Sequence, residues 1–109
     1  MWTLGLDTST WTASVGVTCA GELVAERARR AASSHALTLI PLIDEILAAA
    51  GIDVGRLSAV AVSNGPGSFT GLRIGLSTAK GLAYAIGARL VAVPSLQALA
   101  RALGPRPGL

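Results

Sequence analysis

Residues 57–86 read LSAVAVSNGPGSFTGLRIGLSTAKGLAYAI, and this stretch decides the fold class of the 109-residue chain. Its first seven residues are those of a short buried strand, and the Asn-Gly-Pro-Gly-Ser turn at 64–68 fits no regular element. Apolar residues then recur at helical spacing from Thr70 to Ile86. A strand followed directly by a helix is typical of sheets with parallel strands, in which the helix carries the chain back to the next strand.

One side of this predicted helix consists of small residues. Because glycine inside a helix costs about 1 kcal/mol relative to alanine, such a ridge indicates close approach of another backbone. The other faces carry leucine and isoleucine, so the helix is expected to be covered on more than one side. The ridge consists of Gly71, Gly75, Ala79, Ala83 and Gly87, and the other faces carry Leu72, Leu76, Leu82 and Ile86.

The chain before residue 34 reads as strands. The β-prone runs at 2–6, 12–19 and 22–29 predict a three-stranded meander. The Ala-rich residues 22–32 could equally form a helix, which leaves two alternatives for the third run.

A first helix is predicted between this meander and residue 57. Ser34 is a suitable N-cap, and Gly51 is a suitable stop. Pro41 lies inside the apolar pattern and predicts a kink or a late start near Leu37, because proline cannot donate a backbone hydrogen bond. The apolar positions are wider than the stripe that one core needs, so both faces of the helix are expected to be covered.

The chain after the second helix predicts a strand at 89–93, a third helix starting at Pro94-Ser95 and ending at Leu103, and a linker from residue 104. The element order is therefore β-β-β-α-β-α-β-α, and the fold class is α/β with a mixed sheet flanked by helices.

Composition narrows the class of protein. Hydrophobic residues make up 51% of the chain and charged residues 14%. No apolar run reaches the roughly 18 residues that a membrane span needs, and no secretory signal is visible at Met1–Asp7. The single Cys19 favours a reducing compartment, so a cytoplasmic protein is predicted. The apolar excess indicates a buried interface or a missing half.

The charge pattern does not indicate a protein that binds nucleic acid by its own electrostatics. Nine Lys and Arg residues against six Asp and Glu residues give a net charge of +3. The one basic cluster is Arg27, Arg29 and Arg30, at the end of a predicted strand, where protection of a sheet edge is the favoured interpretation. A role in RNA binding is the minor alternative.

No catalytic or metal-binding residue is predicted. His35 is the only histidine, and the segment around Ser68 lacks the glycine two residues before the serine that a nucleophile elbow requires. One histidine, one cysteine and scattered carboxylates contain no ligand pair at a metal-binding spacing.

A phosphate site is a candidate at the loop 65–71, because the loop follows a strand and opens a helix whose free N–H groups favour anions. The nucleotide-binding fingerprints are absent, so a tight packing turn is equally supported. Arg73, near the start of the helix, suggests an anionic partner, which could be a phosphate or the Asp7 carboxylate. The candidate phosphate set is Asp7, Gly67, Ser68 and Arg73, although the stretch Asp7-Thr8-Ser9-Thr10 is better explained as a turn held by its own side chains.

Three motifs together resemble one protein family. They are LDTST at 6–10, GPGSFTGLRIG at 65–75 and VPSL at 93–96. The combination is similar to TsaB, also called YeaZ, over nearly the whole chain. The resemblance implies an actin-like ATPase fold (ASKHA, RNase H-like), with residues 1–103 as an N-terminal domain and 104–109 as the start of a linker to a C-terminal domain that is not in this sequence.

The resemblance also implies a function. TsaB proteins take part in forming threonylcarbamoyladenosine at A37 of tRNA, as partners of the catalytic paralogue TsaD. The metal-binding H-x-x-x-H of TsaD has no counterpart at residues 94–99, which implies a non-catalytic scaffold without a cofactor of its own. A TsaD-like paralogue and a TsaE-like ATPase would supply metal and ATP, tRNA would be reached only through the complex, and no membrane partner is implied.

The family pairs through its first two helices, either with TsaD or as a homodimer. Carried over to this sequence, the resemblance implies an interface made of Leu39, Ile43, Leu72, Gly75, Leu76 and Ala79. The alternative is half of an actin-like nucleotide-binding phosphotransferase or ATPase, in which Asp7, the glycine turn and Arg73 bind a phosphate and the apolar helices pack on the missing domain. A peptidase is contradicted by the lack of a catalytic set.

Overall fold

The computed structural model of the chain describes residues 1–30, 35–63 and 69–93. Along the chain these residues form β1 (Trp2–Asp7), β2 (Thr12–Cys19), β3 (Glu22–Arg30), α1 (His35–Ala50), a short 3-10 helix (Val54–Arg56), β4 (Leu57–Ser63), α2 (Phe69–Ile86) and β5 (Arg89–Val93). The predicted order is confirmed as far as β5. The predicted third helix, the linker and most of the glycine turn lie outside the described residues.

The strands form one mixed sheet in the order β3-β2-β1-β4-β5. The central strand β1 pairs antiparallel with β2 and parallel with β4, and β4 pairs parallel with β5. The antiparallel part is the predicted meander, and the parallel part is the strand–helix unit that opened the sequence analysis. Fold class and strand directions therefore follow the prediction.

The helical alternative for 22–32 is wrong over Glu22–Arg30, because this segment pairs with β2 from end to end, with one irregularity at Val24. The reason lies in the turn before it. Ala20 and Gly21 both have positive φ, 53° and 84°, as a two-residue hairpin turn requires. A hairpin turn places the residues that follow it beside β2, and this pairing outweighs the helix propensity of alanine.

The main core lies between the sheet and the two helices. Alternate apolar residues of the three inner strands face this core, among them Leu6, Val17 and Val62. α1 contacts mainly β2 and β3, whereas α2 contacts mainly β4 with β1 and β5. The helix residues in the core are Leu39, Leu42, Ile43, Ile46 and Leu47 of α1 and Ala79 and Ala83 of α2.

α1 begins at His35 and continues through Pro41 to Ala50. The predicted late start near Leu37 is therefore not observed. After Ala50 the chain turns at Gly51, whose φ of +72° is the left-handed conformation that glycine adopts most easily at a helix end. In the described part of the chain, neither helix is long and apolar enough to cross a membrane.

Candidate functional site

Four polar residues are buried together with the apolar core at one edge of the sheet. β1 and β4 are parallel neighbours, with Leu6 opposite Val62, so Asp7 and Ser63 end the two strands side by side. Thr8 and Ser9 follow Asp7, and all four side chains are buried. In open sheets of this kind, ligands bind at the carboxyl ends of the parallel strands. We call Asp7, Thr8, Ser9 and Ser63 the carboxyl-edge cluster.

Hydrogen bonds between residues close in sequence stabilise the loop between β1 and β2. The Ser9 N–H donates to Oδ1 of Asp7 over 2.8 Å, which closes a local turn. The Thr12 N–H donates to Oγ1 of Thr10 over 3.2 Å. These bonds agree with the interpretation of a turn held by its own side chains.

Thr8 connects this loop to the second helix. Its side chain is fully buried, and Oγ1 donates to the carbonyl oxygen of Gly71 over 2.5 Å. Gly71 lies in the first turn of α2, where it is also buried. The bond therefore fixes the position of α2 relative to the carboxyl end of β1.

Ser63 is the one member of the cluster that lacks a hydrogen bond. Its Oγ is buried, with the residue 1% exposed, and no partner reaches it among the residues that the structure describes. Most buried polar groups in proteins have a partner, because leaving one unsatisfied costs about 1–3 kcal/mol. A buried hydroxyl without a hydrogen bond at the end of β4, next to the end of β1, is a group that a small polar ligand could satisfy.

The predicted phosphate residues are only partly described. Asp7 belongs to the carboxyl-edge cluster, and Arg73 is exposed on the first turns of α2, two residues after Gly71. Gly67 and Ser68 lie outside the described residues. The phosphate site therefore remains a prediction.

Four of the five residues of the predicted small-residue ridge pack within this chain, whereas Gly87 follows the end of α2 and is exposed. Gly71, Gly75, Ala79 and Ala83 are all buried. At Gly75 the reason is steric, since a methyl group there would overlap Oγ1 of Thr8. The interface expected for Gly75 and Ala79 therefore has to be corrected, because both residues face the core of their own chain.

The other predicted interface residues divide between the core and the surface. Leu39 and Ile43 belong to the core, so these positions too need correction. Leu72 is half-buried, and Leu76 is exposed. Helical spacing gave too wide an apolar face on α1, and the sequence did not show which part of that face the sheet would cover.

Other apolar residues are exposed on the two helices. Leu37 is 72% exposed and Tyr84 is 93% exposed, and Ile40 and Leu76 are also exposed. The sequence analysis missed Leu37, Ile40 and Tyr84. An available signal was Tyr84 itself, because a tyrosine in a helix otherwise made of small and aliphatic residues needs water or a partner for its hydroxyl. We call Leu37, Ile40, Leu76 and Tyr84 the outer helix surface.

The donor set of the described chain does not form a metal site. Within the described ranges, no three His, Cys, Asp or Glu residues come together in a way that could hold a metal ion. His35 is the first residue of α1. Cys19, at the end of β2, is a free thiol.

Comparison with known proteins shows to which family the chain belongs. A family model described as TsaD, tRNA N6-adenosine threonylcarbamoyltransferase, matches residues 22–107. The chain belongs to the TsaD family. Within it, the chain is 41% identical over 101 residues to the tRNA threonylcarbamoyladenosine biosynthesis protein TsaB of Haemophilus influenzae, a match that covers 91% of this chain and 42% of that protein. The predicted resemblance to TsaB is thereby confirmed.

Solved structures agree with this placement in the TsaD family. YeaZ from Pseudomonas aeruginosa superposes with a TM-score of 0.79 and 35% identity, covering 87% of this chain and 43% of that one. RuvC from Thermus thermophilus superposes with a TM-score of 0.61 at 17% identity, covering 89% of this chain and 66% of that one, and shows a shared fold alone. The predicted actin-like, RNase H-like fold class is confirmed. The chain spans less than half the length of these TsaB and YeaZ relatives.

Proposed function

We propose that this chain acts as a non-catalytic subunit in the formation of threonylcarbamoyladenosine at A37 of tRNA, where it pairs with a TsaD-like catalytic paralogue. The similarity to TsaB, a tRNA threonylcarbamoyladenosine biosynthesis protein, supports the pathway, and the matching family model supports kinship with the transferase. Because tRNA is the substrate, the cytoplasm is the expected compartment.

The observation that carries the proposal is the outer helix surface. Its four apolar side chains are exposed on the two helices, although the chain has an apolar core of its own. Burial of apolar surface stabilises association by about 25 cal/mol per Å², and tyrosines such as Tyr84 are enriched among the residues that dominate interfaces. The pairing surface we propose is therefore Leu37, Ile40, Leu76 and Tyr84, with Leu72 at its margin.

The chemistry would come from the partners. A TsaD-like paralogue would hold the metal, and a TsaE-like ATPase would hydrolyse ATP. In isolation the same outer helix surface would pair with a second copy of the chain. A partner with a similar apolar surface would then displace the homodimer.

The molar mass of the chain, measured by light scattering with and without the TsaD-like partner, tests this proposal. The wild type is expected to dimerise and to exchange into a mixed complex. Tyr84→Asp and Ile40→Asp should leave a folded monomer, because each places a charge on the outer helix surface. Val24→Asp is the matched control, since Val24 is an exposed apolar residue on β3. Pairing that survives both helix variants, or a wild type that stays monomeric with the partner present, would contradict the proposal.

A second candidate function is supported by one observation. The buried Ser63 hydroxyl, which has no partner among the described residues, lies at the carboxyl end of β4, where open α/β sheets bind ligands. Under this alternative the chain is half of a nucleotide-binding phosphotransferase or ATPase. Calorimetric titration with ATP and magnesium tests it, and binding that Ser63→Ala weakens would favour it over the scaffold.

A further inference from the structure

Three arginines lie at the free end of the edge strand β3. Arg27, Arg29 and Arg30 are exposed, and the side chains of Arg27 and Arg29 keep 44% and 48% of their surface in contact with solvent. Among the strands that the structure describes, only β2 pairs with β3. Side chains alternate across a strand, so the guanidinium groups of Arg29 and Arg30 emerge on opposite faces of this strand end.

One carboxylate holds two of these arginines in place. Glu45 of α1 accepts a hydrogen bond from Arg29 over 2.7 Å, and its second oxygen lies 3.8 Å from Nε of Arg27. A guanidinium group has five N–H donors, so most donors of both residues remain available to another acceptor. No carboxylate pairs with Arg30 in the part of the chain that the structure describes.

An exposed aromatic ring lies at the same end of the sheet. Trp11 is 68% exposed, although its indole ring is large and apolar. It directly precedes Thr12, which is the register partner of Arg30. The backbone of Trp11 is therefore one residue along the strand from the cross-strand pair that contains Arg30. We call Trp11, Arg27, Arg29 and Arg30 the basic corner.

We propose that the basic corner binds a single-stranded segment of RNA that crosses the edge of the sheet, with phosphates on the guanidinium groups of both faces and a base stacked on Trp11. Surfaces for single-stranded nucleic acid combine cationic side chains along the backbone with aromatic rings on which bases stack. The choice of RNA rests on the proposed function in tRNA modification. An acidic peptide would satisfy the arginines but would leave the indole surface exposed.

The net charge of the basic corner determines how strongly it is expected to bind RNA. Three guanidinium groups are opposed by two nearby carboxylates, those of Glu26 and Glu45, so the local excess is small. The corner would therefore add one contact within the complex and would bind RNA only weakly by itself. This agrees with a net charge of +3 and differs from the expectation that tRNA is reached only through the partners.

Binding of a fluorescein-labelled RNA stem–loop, followed by anisotropy, tests the inference. The chain is used both in its complex with the TsaD-like partner and alone at low salt. Trp11→Ala should weaken binding by about fivefold or more, because stacking of one base on an aromatic ring contributes at least that much. Arg30→Gln should weaken binding and should lower the slope of log K against log salt by about 1. RNA should also quench the emission of Trp11.

The matched control is Arg89→Gln, which removes an exposed arginine from β5, at the opposite edge of the sheet. Its RNA binding should equal that of the wild type. The inference is overturned if Arg89→Gln weakens binding as much as Arg30→Gln, if Trp11→Ala has no effect, or if an RNA duplex without a loop binds as tightly. Competition by polyglutamate as strong as that by RNA would also overturn it, in favour of an acidic protein partner.

A failure of the RNA-binding proposal can be distinguished from a failure of the proposed function. Light scattering on each variant shows whether the complex with the TsaD-like partner forms. Normal complex formation with unchanged RNA binding in the variants would refute the basic corner alone. If the wild type forms no complex, the scaffold proposal fails, and the measurements on the chain alone at low salt still decide the RNA contact.

Discussion

The hydroxyl of Thr8 occupies the space that a side chain on Gly75 would need, and it also donates a hydrogen bond to the carbonyl of Gly71. Two consecutive turns of α2 are thus fitted to one buried threonine at the end of β1. The carboxyl-edge cluster and the helix that carries half of the outer helix surface are therefore joined by direct contact. This contact also explains why a glycine occupies position 75 early in the helix.

Gly75→Ala is expected to destabilise the chain by about 1–3 kcal/mol, because the added methyl group overlaps a fully buried side chain. Gly81→Ala is the matched control in the same helix, since a Cβ at that position meets nothing within 4 Å. It should stabilise the chain by up to about 1 kcal/mol through helix propensity. Chemical denaturation of both variants measures the difference, and equal stabilities would refute the steric explanation.

The double variant Thr8→Ala/Gly75→Ala should cost less than the sum of the two single variants. Thr8→Ala loses the hydrogen bond to Gly71, but it also removes the atom that overlaps the new methyl group. Contacting residues commonly show interaction free energies of about 0.5–3 kcal/mol in such cycles. Denaturation of all four proteins gives the coupling, and strict additivity would mean that residues 8 and 75 do not share this space.

Ser63→Ala should be neutral or stabilising, because it removes a buried hydroxyl that has no partner among the described residues. Thr8→Val is the comparison, since it deletes a buried hydroxyl that does make a hydrogen bond. That variant should lose about 1–3 kcal/mol by leaving the Gly71 carbonyl without this donor. A large loss of stability in Ser63→Ala would indicate a structural role for its hydroxyl.

The variants Leu39→Ala and Leu37→Ala test which residues of α1 belong to the core and which belong to its outer side. Leu39 is fully buried, so its truncation should cost about 2–5 kcal/mol, whereas exposed Leu37 should change the stability by less than about 0.5 kcal/mol. Pairing should show the opposite order, with Leu37→Ala weakening the dimer in light scattering. If Leu39→Ala is as stable as the wild type, the assignment of α1 faces is wrong.

Glu45→Gln should cost less than about 1 kcal/mol, because its ion pairs with Arg27 and Arg29 are more than 40% exposed and are screened by water. Asp44→Asn is the control, because Asp44 directly precedes Glu45 on α1 and takes part in neither ion pair. The difference between the two variants should disappear at about 1 M salt, where the screening length falls to roughly 3 Å. A difference that persists in high salt would show that Glu45 acts by packing.

Most of the fold could be predicted from local patterns. The strand at 57–63 and the helix from residue 69 each have distinct residue types, and their observed bounds agree with the prediction within two residues. The third strand was ambiguous because alanine and arginine suit a helix as well. The turn at Ala20–Gly21 removes this ambiguity, because a hairpin turn places the residues that follow it beside β2.

The candidate sites were predicted less well. Leu39 and Leu37 are both apolar residues of one helix, and nothing local distinguishes the one that the sheet covers. Gly75 and Ala79 were predicted to face a partner because small residues indicate close approach, but the approaching group at Gly75 is Thr8 of the same chain. The small residues indicated that another group packs closely against α2, but they did not show which group it is.

The sequence by itself determined the order of the elements, the α/β class and the family, because turn chemistry, periodicity and long motifs are local properties. Only the tertiary structure decided which sides of α1 and α2 remain exposed, that Ser63 is buried with no partner among the described residues, and that Trp11 shares a strand end with Arg30. These are relationships between residues far apart in the chain. They depend on how strands pair and helices pack, which no single stretch of sequence specifies.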